Sequence, residues 1–236
     1  MDCARAARQA LAVYRLGRIG YEDGLRWQRR AAARVRAGGP DALALLEHHP
    51  VYTLGPATRP QDLPGGIEAL RRSGAEVFET DRGGSVTFHG PGQLVGYAVV
   101  DLRRLGIAPV DYVRLLEAAL IETAGAFGVR ACRIAGRPGV WAGGAKLAAI
   151  GVRVAGGVTS HGFALNVEND LSWFDAIVPC GLGDAGVTSA ERLLGRSPGT
   201  AAAEDAALRA FADAFGYVQI DGSSSCPGRE EAAVGG

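Results

Sequence analysis

One cysteine has the sequence surroundings of a reactive thiol. Cys180 stands between Pro179 and Gly181, so a fixed backbone on one side and a missing side chain on the other could leave the sulfur open on a turn. A thiolate is a good nucleophile, although most cysteines are buried and inert. The residues alone therefore leave two interpretations of Cys180, a nucleophile or a small buried hydrophobic residue.

Lys146 is the single lysine in a chain with 25 lysine and arginine residues. A codon bias toward arginine would explain this by chance. A lysine can also mark a position where arginine fails, because arginine does not lose its proton in proteins. Lys146 follows a glycine pair and precedes the apolar run 147–152, so partial desolvation would favour proton exchange there. The alternative is a strand-edge lysine that discourages aggregation.

Two further segments combine glycine with polar side chains. Residues 82–93 (RGGSVTFHGPGQ) contain four glycines and are bracketed by Arg82 and His89, which predicts either a loop that approaches a ligand closely or a tight hairpin. No Gly-Lys-Ser/Thr follows and no helix opens there, which excludes a phosphate loop and a dinucleotide fingerprint. His161, followed by Gly162, is either a site residue or a structural histidine.

Composition and charge exclude several classes of protein. The chain is 47% hydrophobic and 21% charged with a formal net charge of zero, which is typical of a globular domain and gives no general attraction to nucleic acid or anionic membranes. Charged residues interrupt the Ala-rich opening, so no signal peptide is expected, and no run approaches the ~18 apolar residues of a membrane helix. We therefore expect a cytoplasmic protein. The spacing of Cys3, Cys132, Cys180 and Cys226 suggests neither a zinc site nor a redox pair.

Hydrophobic periodicity predicts one α+β domain. Strands are predicted at Ala42 to Leu46, Val51 to Leu54, Glu76 to Thr80 and Leu94 to Val100, and short β-branched runs over 129–168 indicate an antiparallel sheet. Helices are predicted over residues 21–37, 67–73, 109–127, 186–195 and 201–215. Residues 221–236 are rich in Gly, Ser, Ala and Glu, which predicts a disordered tail.

Four segments, taken in order, resemble the octanoyltransferases of lipoate biosynthesis. They are RGGSVTFHGPGQLVGY from residue 82, KLAAIGVRV from residue 146, TSHGFALNV from residue 159, and IVPCGL from residue 177 followed by VTS. The similarity extends over roughly residues 13–220. Since this family is related to the catalytic domain of biotin and lipoate ligases, the resemblance implies a single domain with a mixed, largely antiparallel sheet flanked by helices.

The resemblance also implies a reaction and its partners. An octanoyl or lipoyl group would move from acyl carrier protein to a lysine of a lipoyl domain, in the E2 subunits of 2-oxoacid dehydrogenases and in the H protein of glycine cleavage. The enzyme would be a cytoplasmic monomer that uses no cofactor or metal and binds neither nucleic acid nor membrane. Residues 13–220 would form the catalytic domain.

By motif, Cys180 would carry the acyl group as a thioester, and Lys146 would lower the pKa of its thiol. The substrate pocket implied by the resemblance consists of Arg82, Gly83, Gly84, Ser85, Val86, Thr87, Phe88, His89, Ala149, Ile150, Gly151, His161, Gly162, Phe163 and Ala164. Tyr21 and His48 are further candidates for its lining. Val86, Phe88, Ile150 and Phe163 would wall an apolar slot for the acyl tail. An arginine patch including Arg59, Arg71 and Arg72 is expected to meet acidic acyl carrier protein.

Three other functions are possible on the residues alone, and the sequence also departs from the family pattern at three positions. The rivals are an ATP-dependent lipoate or biotin ligase on the same fold, a non-catalytic acyl- or lipoyl-domain-binding protein, and a cysteine hydrolase with His161 as base. The IVPCGL segment argues against the ligase, which typically uses a lysine but no catalytic cysteine. The departures are His49, Pro56 and Ala190, where the family often has proline, arginine and leucine. None of them touches the proposed catalytic pair, but the loop 48–60 could shape substrate access differently.

Overall fold

The structure is a computed structural model that describes residues 9–179 and 185–221. Cys180 and the predicted tail, apart from Asp221, lie outside these ranges. The strands are β1 (Ala10–Ile19), β2 (Asp41–His48), β3 (Val51–Leu54), β4 (Glu76–Glu79), β5 (Val86–His89), β6 (Gln93–Val99), β7 (Cys132–Ile134), β8 (Arg137–Ala142), β9 (Ala145–Ala155), β10 (Val158–Asn166) and β11 (Val218–Asp221). The helices are α1 (Tyr21–Arg36), α2 (Gly66–Arg72), α3 (Leu102–Leu105), α4 (Pro109–Gly125), α5 (Ala190–Leu194) and α6 (Thr200–Phe215), with 3-10 turns at Pro60–Asp62 and Leu171–Ala176.

The described strands form two sheets. The larger sheet has eight strands in the order β11-β1-β2-β6-β10-β9-β8-β7, and the smaller has three in the order β4-β3-β5. In the larger sheet β1 runs parallel to β2 and β11, and the other neighbours are antiparallel. The predicted α+β class with a mixed, largely antiparallel sheet is confirmed.

Helices cover both faces of the larger sheet, which explains why its central strands are largely apolar on both faces. On β2, Leu43 and Leu45 belong to the core that α4 and α6 cover, whereas Ala42 and Ala44 belong to the core under α1. The amphipathic pattern predicted for α1 follows from burial of one face only. None of the helices in the described ranges has the length and hydropathy needed to cross a membrane.

Most predicted elements agree with the structure, and one helix does not. The helices predicted at 21–37, 67–73, 109–127 and 201–215 correspond to α1, α2, α4 and α6. The prediction at 186–195 is wrong in its first half, because helix α5 begins at Ala190. Before it, the chain pairs with β9: Lys146 N–H donates to the Gly186 carbonyl and Thr188 N–H donates to the Lys146 carbonyl, both at 2.9 Å.

The Gly-rich segment 82–93 does not form the tight hairpin that was one of its two interpretations. Strand β5, at its centre, pairs with β3 in the smaller sheet, whereas β6, which follows it, pairs with β2 and β10 in the larger one. The segment therefore carries the chain from one sheet to the other. Its glycines lie where the two sheets approach each other.

Gly96 on β6 is a test of how tightly the sheet is packed beside this junction. A Cβ at Gly96 would lie 2.2 Å from two ring atoms of the buried Phe163. We expect Gly96→Ala to lower the free energy of unfolding by about 1–3 kcal/mol, because the ring must move within a packed core. Urea unfolding measures the change.

Gly125→Ala is the matched control, since a Cβ at this helical position would have no neighbour within 4 Å. It should leave the stability unchanged or raise it slightly. Equal stabilities of the Gly96→Ala and Gly125→Ala variants would contradict the packing interpretation.

Candidate active site

One cavity brings together the three segments that the sequence suggested for the pocket. It is enclosed by β5, β6, β9, β10 and the residues that precede β5. The predicted residues in its lining are Arg82, Gly83, Gly84, Ser85, Val86, Thr87, His89, Ala149, Ile150, Gly151, His161, Gly162, Phe163 and Ala164. Lys146 and Tyr21 line it as well.

Two predicted residues lie outside the lining. Phe88 is buried on the other side of β5, where its ring stacks on Trp173 with centroids 5.0 Å apart. Side chains alternate along a strand, so Thr87 and His89 face the cavity and Phe88 faces the core of the smaller sheet. His48 lies behind the cavity wall, where it supports Tyr97. The expected contribution of Phe88 to an apolar slot is therefore wrong.

The sequence missed several residues of the lining. They are Gln93, Val95, Tyr97, Asn166, Phe174, Pro179 and Val187. A signal for three of them is present in the sequence: Gln93, Tyr97 and Asn166 are polar or amphipathic residues within otherwise apolar strands. A buried polar side chain on such a strand requires a partner, and this requirement could have marked them as site residues.

Glycines allow the segment before β5 to lie directly against β9. Gly83 N–H donates to the Val152 carbonyl at 3.0 Å. A Cβ at Gly151 would lie 2.9 Å from the Gly83 carbonyl oxygen, and a Cβ at Gly83 would lie 3.0 Å from the Val152 oxygen. The close approach closes one side of the cavity with backbone rather than side chains.

Lys146 lies at one end of the cavity, next to the edge of β8. Its Nζ stands 5.0 Å from the centroid of the Trp141 ring, a cation–π geometry. A bulge between β8 and β9 pairs Trp141 with Lys146 and Val140 with Ala148. Gly139 lies beside the lysine stem, but glycine is required there by the backbone, since φ is +113° and a Cβ would lie 2.5 Å from the Ala148 carbonyl oxygen.

Described residues on either side of Cys180 reach the same cavity, and Val187 pairs there with Lys146. Pro179 and Val187 both line it. Val178 N–H donates to the Asp62 carbonyl at 2.9 Å, which fixes the chain before Cys180. Residues 186–188 pair with Lys146 as described above, which fixes the chain after it. Cys180 itself lies outside the described residues.

His48 and Tyr97 form a buried pair whose proton positions follow from geometry. His48 Nδ1 lies 3.0 Å from the Ile19 carbonyl, to which it can only donate, so Nε2 accepts from the Tyr97 hydroxyl at 2.6 Å. Burial lowers the pKa of His48 to about 4. The imidazole is therefore neutral at pH 7, and the Tyr97 hydroxyl points away from the cavity.

His89 is the last residue in a series of linked hydrogen bonds in which each donor and acceptor can be assigned. Asn166 Nδ2 donates to the Thr188 carbonyl at 3.0 Å, and Gln93 Nε2 donates to Asn166 Oδ1 at 2.9 Å. Gln93 Oε1 is then the acceptor for His89 Nδ1 at 2.7 Å. Burial and the neighbouring His48 lower the pKa of His89 to about 3, so this ring is neutral too.

Arg82 and His161 line the opposite end of the cavity, but their polar atoms bind protein groups. Arg82 Nη2 donates to the Thr53 carbonyl at 2.7 Å, and its Nη1 donates to the Gly83 carbonyl at 3.1 Å. His161 Nε2 lies 2.8 Å from Asp81 Oδ1. Burial lowers the pKa of His161 although Asp81 opposes that shift.

Comparison with known proteins identifies the family. The family model of the lipoyl protein ligase A/B catalytic domain matches residues 20–212. The chain belongs to this family. An octanoyltransferase of Mycolicibacterium gilvum (strain PYR-GCK) is 44% identical over 234 residues, covering 97% of this chain and 95% of the relative. An octanoyltransferase of Rubrobacter xylanophilus is 47% identical over 214 residues, covering 89% and 96%.

Solved structures of the lipoyl ligase family share the fold at low sequence identity. A chain of the bi-partite lipoate protein ligase system of Thermoplasma acidophilum has a TM-score of 0.70 at 15% identity, over 90% of this chain and 86% of that chain. Lipoate-protein ligase A bound with ATP has a TM-score of 0.68 at 15% identity, over 91% and 88%. The predicted likeness to the lipoate ligase fold is confirmed.

The geometry suits a family member that binds an acyl chain. Ile150 and Phe163 give the cavity apolar walls, and Lys146 adds a cation to its lining. Within the described residues, no three His, Cys, Asp or Glu side chains group as metal ligands would.

The two buried neutral histidines predict how stability depends on pH. The unfolded chain takes up protons at His48 and His89 below about pH 6.5, whereas the folded chain does so only near their lowered pKa values. Stability is thus complete above about pH 6.5 and falls as the pH is lowered. We expect a loss of roughly 1–2 kcal/mol per histidine between pH 7 and pH 5.

Urea unfolding at both pH values measures this loss. His48→Gln and His89→Gln should each reduce the difference between pH 7 and pH 5, because one proton-uptake site is removed. His49→Gln is the matched control, since His49 is an exposed neighbour of His48. A difference that persists undiminished in both buried variants would contradict the prediction.

Proposed function

We propose that this protein is an octanoyltransferase that moves an octanoyl group from acyl carrier protein to a lysine of a lipoyl domain through a thioester on Cys180. The relatives that match most of the chain are octanoyltransferases. One observation carries the assignment of the site: Lys146, Pro179 and Val187 line the same cavity, and Val187 pairs with Lys146. Since Cys180 is bonded to Pro179, this observation supports a thiol near Lys146.

The first half of the reaction is thioester exchange. The Cys180 thiolate attacks the carbonyl carbon of the donor thioester, the bond to the carrier sulfur breaks, and the carrier leaves as a thiol with one proton. A cysteine thiol ordinarily has a pKa of about 8.5, so only a small fraction is thiolate at pH 7. A neighbouring ammonium favours the thiolate and so increases this fraction. Lys146 supplies this charge and can pass the proton to the departing sulfur. Both acyl species are thioesters, so the step requires no ATP.

The second half is aminolysis of the acyl-enzyme. The amine of the acceptor lysine attacks the thioester carbon, the carbon–sulfur bond breaks, and an amide forms. The proton lost by the amine passes to the Cys180 sulfur, with Lys146 as carrier. An arginine at position 146 would keep the charge but could not carry this proton.

The partners and location follow from the same chemistry. Proteins with lipoyl domains are the acceptors, and we propose that they include E2 subunits of 2-oxoacid dehydrogenases and the glycine cleavage H protein. A catalytic thiol must stay reduced, which fits the cytoplasm. The reaction needs one Cys180 and one Lys146, so a monomer suffices.

Intact mass spectrometry tests the acyl-enzyme. Mixing the protein with octanoyl-acyl carrier protein, without ATP, should add one octanoyl group. Cys180→Ser should abolish the adduct, and Lys146→Ala should slow its formation by roughly two orders of magnitude or more, the usual size of a proton-transfer contribution. Lys146→Arg should form the adduct faster than Lys146→Ala but transfer it slowly to a lipoyl domain.

Cys132→Ser is the matched control, because Cys132 is an exposed free thiol. It should leave adduct formation unchanged. An adduct that persists in Cys180→Ser and disappears in Cys132→Ser would overturn the assignment. Formation of octanoyl adenylate from ATP and free octanoate would favour the ligase, and release of free octanoate in the presence of a lipoyl domain would favour the hydrolase.

An arginine patch beside the cavity is proposed as the docking surface for acyl carrier protein. Arg59, Arg71 and Arg72 are exposed. Arg59 precedes the turn Pro60–Asp62, and the Asp62 carbonyl accepts the hydrogen bond from Val178 that fixes the chain before Cys180. Arg59 thus lies next to an element that is bonded to the chain before Cys180, and Arg71 and Arg72 lie in the last turn of α2.

Charge reversal at the three arginines should raise the KM for the carrier roughly tenfold at low salt, with little change in kcat, because the charges act on encounter. The difference in KM between the charge-reversed variant and the wild type should become smaller as salt is added, because salt screens the charges. Arg209→Glu, an exposed residue of α6, is the control and should change neither quantity. An unchanged KM and salt dependence in the reversed patch would refute this docking surface.

A further inference from the structure

His161 separates the cavity from a groove on the outer surface. Its side chain, 5% exposed, belongs to the lining of both. The cavity holds about 90 Å³, whereas the groove is open and holds about 690 Å³. Leu25, Ala32 and Ala155 contribute apolar surface to the groove just beyond the ring. The imidazole of His161 thus lies between the small cavity and the larger surface groove.

The strand register places His161 at the end of the cavity remote from Lys146. His161 pairs with Val152, and Leu165 pairs with Ala148, two residues after Lys146. Lys146 and Val152 are six positions apart on β9, a distance of about 20 Å along an extended strand. An acyl chain held by a thioester near Lys146 therefore extends toward His161.

At the end of the cavity remote from Lys146, the polar atoms of the lining side chains are already hydrogen-bonded, so aromatic rings and the aliphatic part of Arg82 are left for a ligand to contact. The Tyr97 hydroxyl donates to His48, the Arg82 guanidinium donates to Thr53 and Gly83, and His161 Nε2 faces Asp81. A hydrocarbon chain can contact these side chains without removing a hydrogen bond. The terminal methyl group is the part of an acyl chain that fits such an end.

The ring of His161 is held in place by its backbone and by its partners. His161 has φ of 60°, and it is the one non-glycine residue with positive φ in the described ranges. Its N–H donates to Gln28 Oε1 at 2.6 Å, and Asp81, which holds Nε2, is itself paired with Arg153. A strained backbone persists only where its surroundings fix it, and strained residues cluster at functional sites.

We propose that the imidazole of His161 is the stop against which the methyl end of the acyl chain rests, so that it sets the upper limit of acyl-chain length. This inference rests on the proposed function. Each methylene added to the donor moves the chain end toward the ring. Beyond the limit, the chain must displace a buried side chain and its hydrogen bond to Asp81, whereas removal of the ring joins the cavity to the groove.

Chain-length preference tests the proposal in the full-length protein. The ratio of kcat/KM for dodecanoyl- to octanoyl-acyl carrier protein should rise about tenfold or more in His161→Gly, since one methylene can change specificity by 10-fold or more. His161→Asn is a second variant, because asparagine tolerates positive φ and is shorter than histidine. It should shift the ratio in the same direction. Mass spectrometry with equimolar donors should show dodecanoyl-enzyme gaining over octanoyl-enzyme.

Ser160→Gly is the matched control, since Ser160 lines the groove and not the cavity. It should retain the wild-type ratio. If both His161 variants transfer octanoate but keep the wild-type ratio within twofold, the stop is refuted. If the wild type forms no octanoyl adduct, the proposed function fails instead, and the two failures are thereby distinguished.

Discussion

The buried polar atoms of Tyr97, Arg82 and His161 at the cavity wall are hydrogen-bonded to protein groups, and the proposed use of the cavity depends on these bonds. A buried donor or acceptor without a partner costs about 1–3 kcal/mol, so a hydrocarbon chain could not fill a cavity lined with unpaired polar atoms. Because these atoms already have protein partners, aromatic rings and an arginine stem act as apolar surface.

The lysine end depends on main-chain hydrogen bonds instead. The Lys146 backbone holds residues 186 and 188 through both its N–H and its carbonyl. These bonds fix the distance between the lysine backbone and residues 186–188 irrespective of side chains. The Trp141 ring then restricts where the ammonium can lie. The charge at this end of the cavity is thus positioned by sheet pairing, which is more rigid than a loop.

The extent to which the sequence predicted this structure varies with the kind of interaction. Periodicity predicts α1 and α4 because each buries one face, and motif order predicts which segments meet at the cavity. The extended conformation of 186–188 was missed because its cause is pairing with Lys146, some forty residues away in sequence. Phe88 was misplaced because its face depends on which sheet β5 joins, and that depends on distant β3.

The fold alone does not show whether the acyl group is activated by ATP or arrives as a thioester, and this difference depends on side chains. A ligase with bound ATP has this fold at 15% identity, so the cavity architecture by itself does not distinguish transfer from ligation. A free acid must be activated by ATP before it can form an amide, whereas a thioester already carries that activation. A nucleophilic thiol suits the second case, because it can exchange one thioester for another at little cost. The proposed transfer from a carrier protein therefore depends on the thiol of Cys180, which ligation from free acid and ATP does not require.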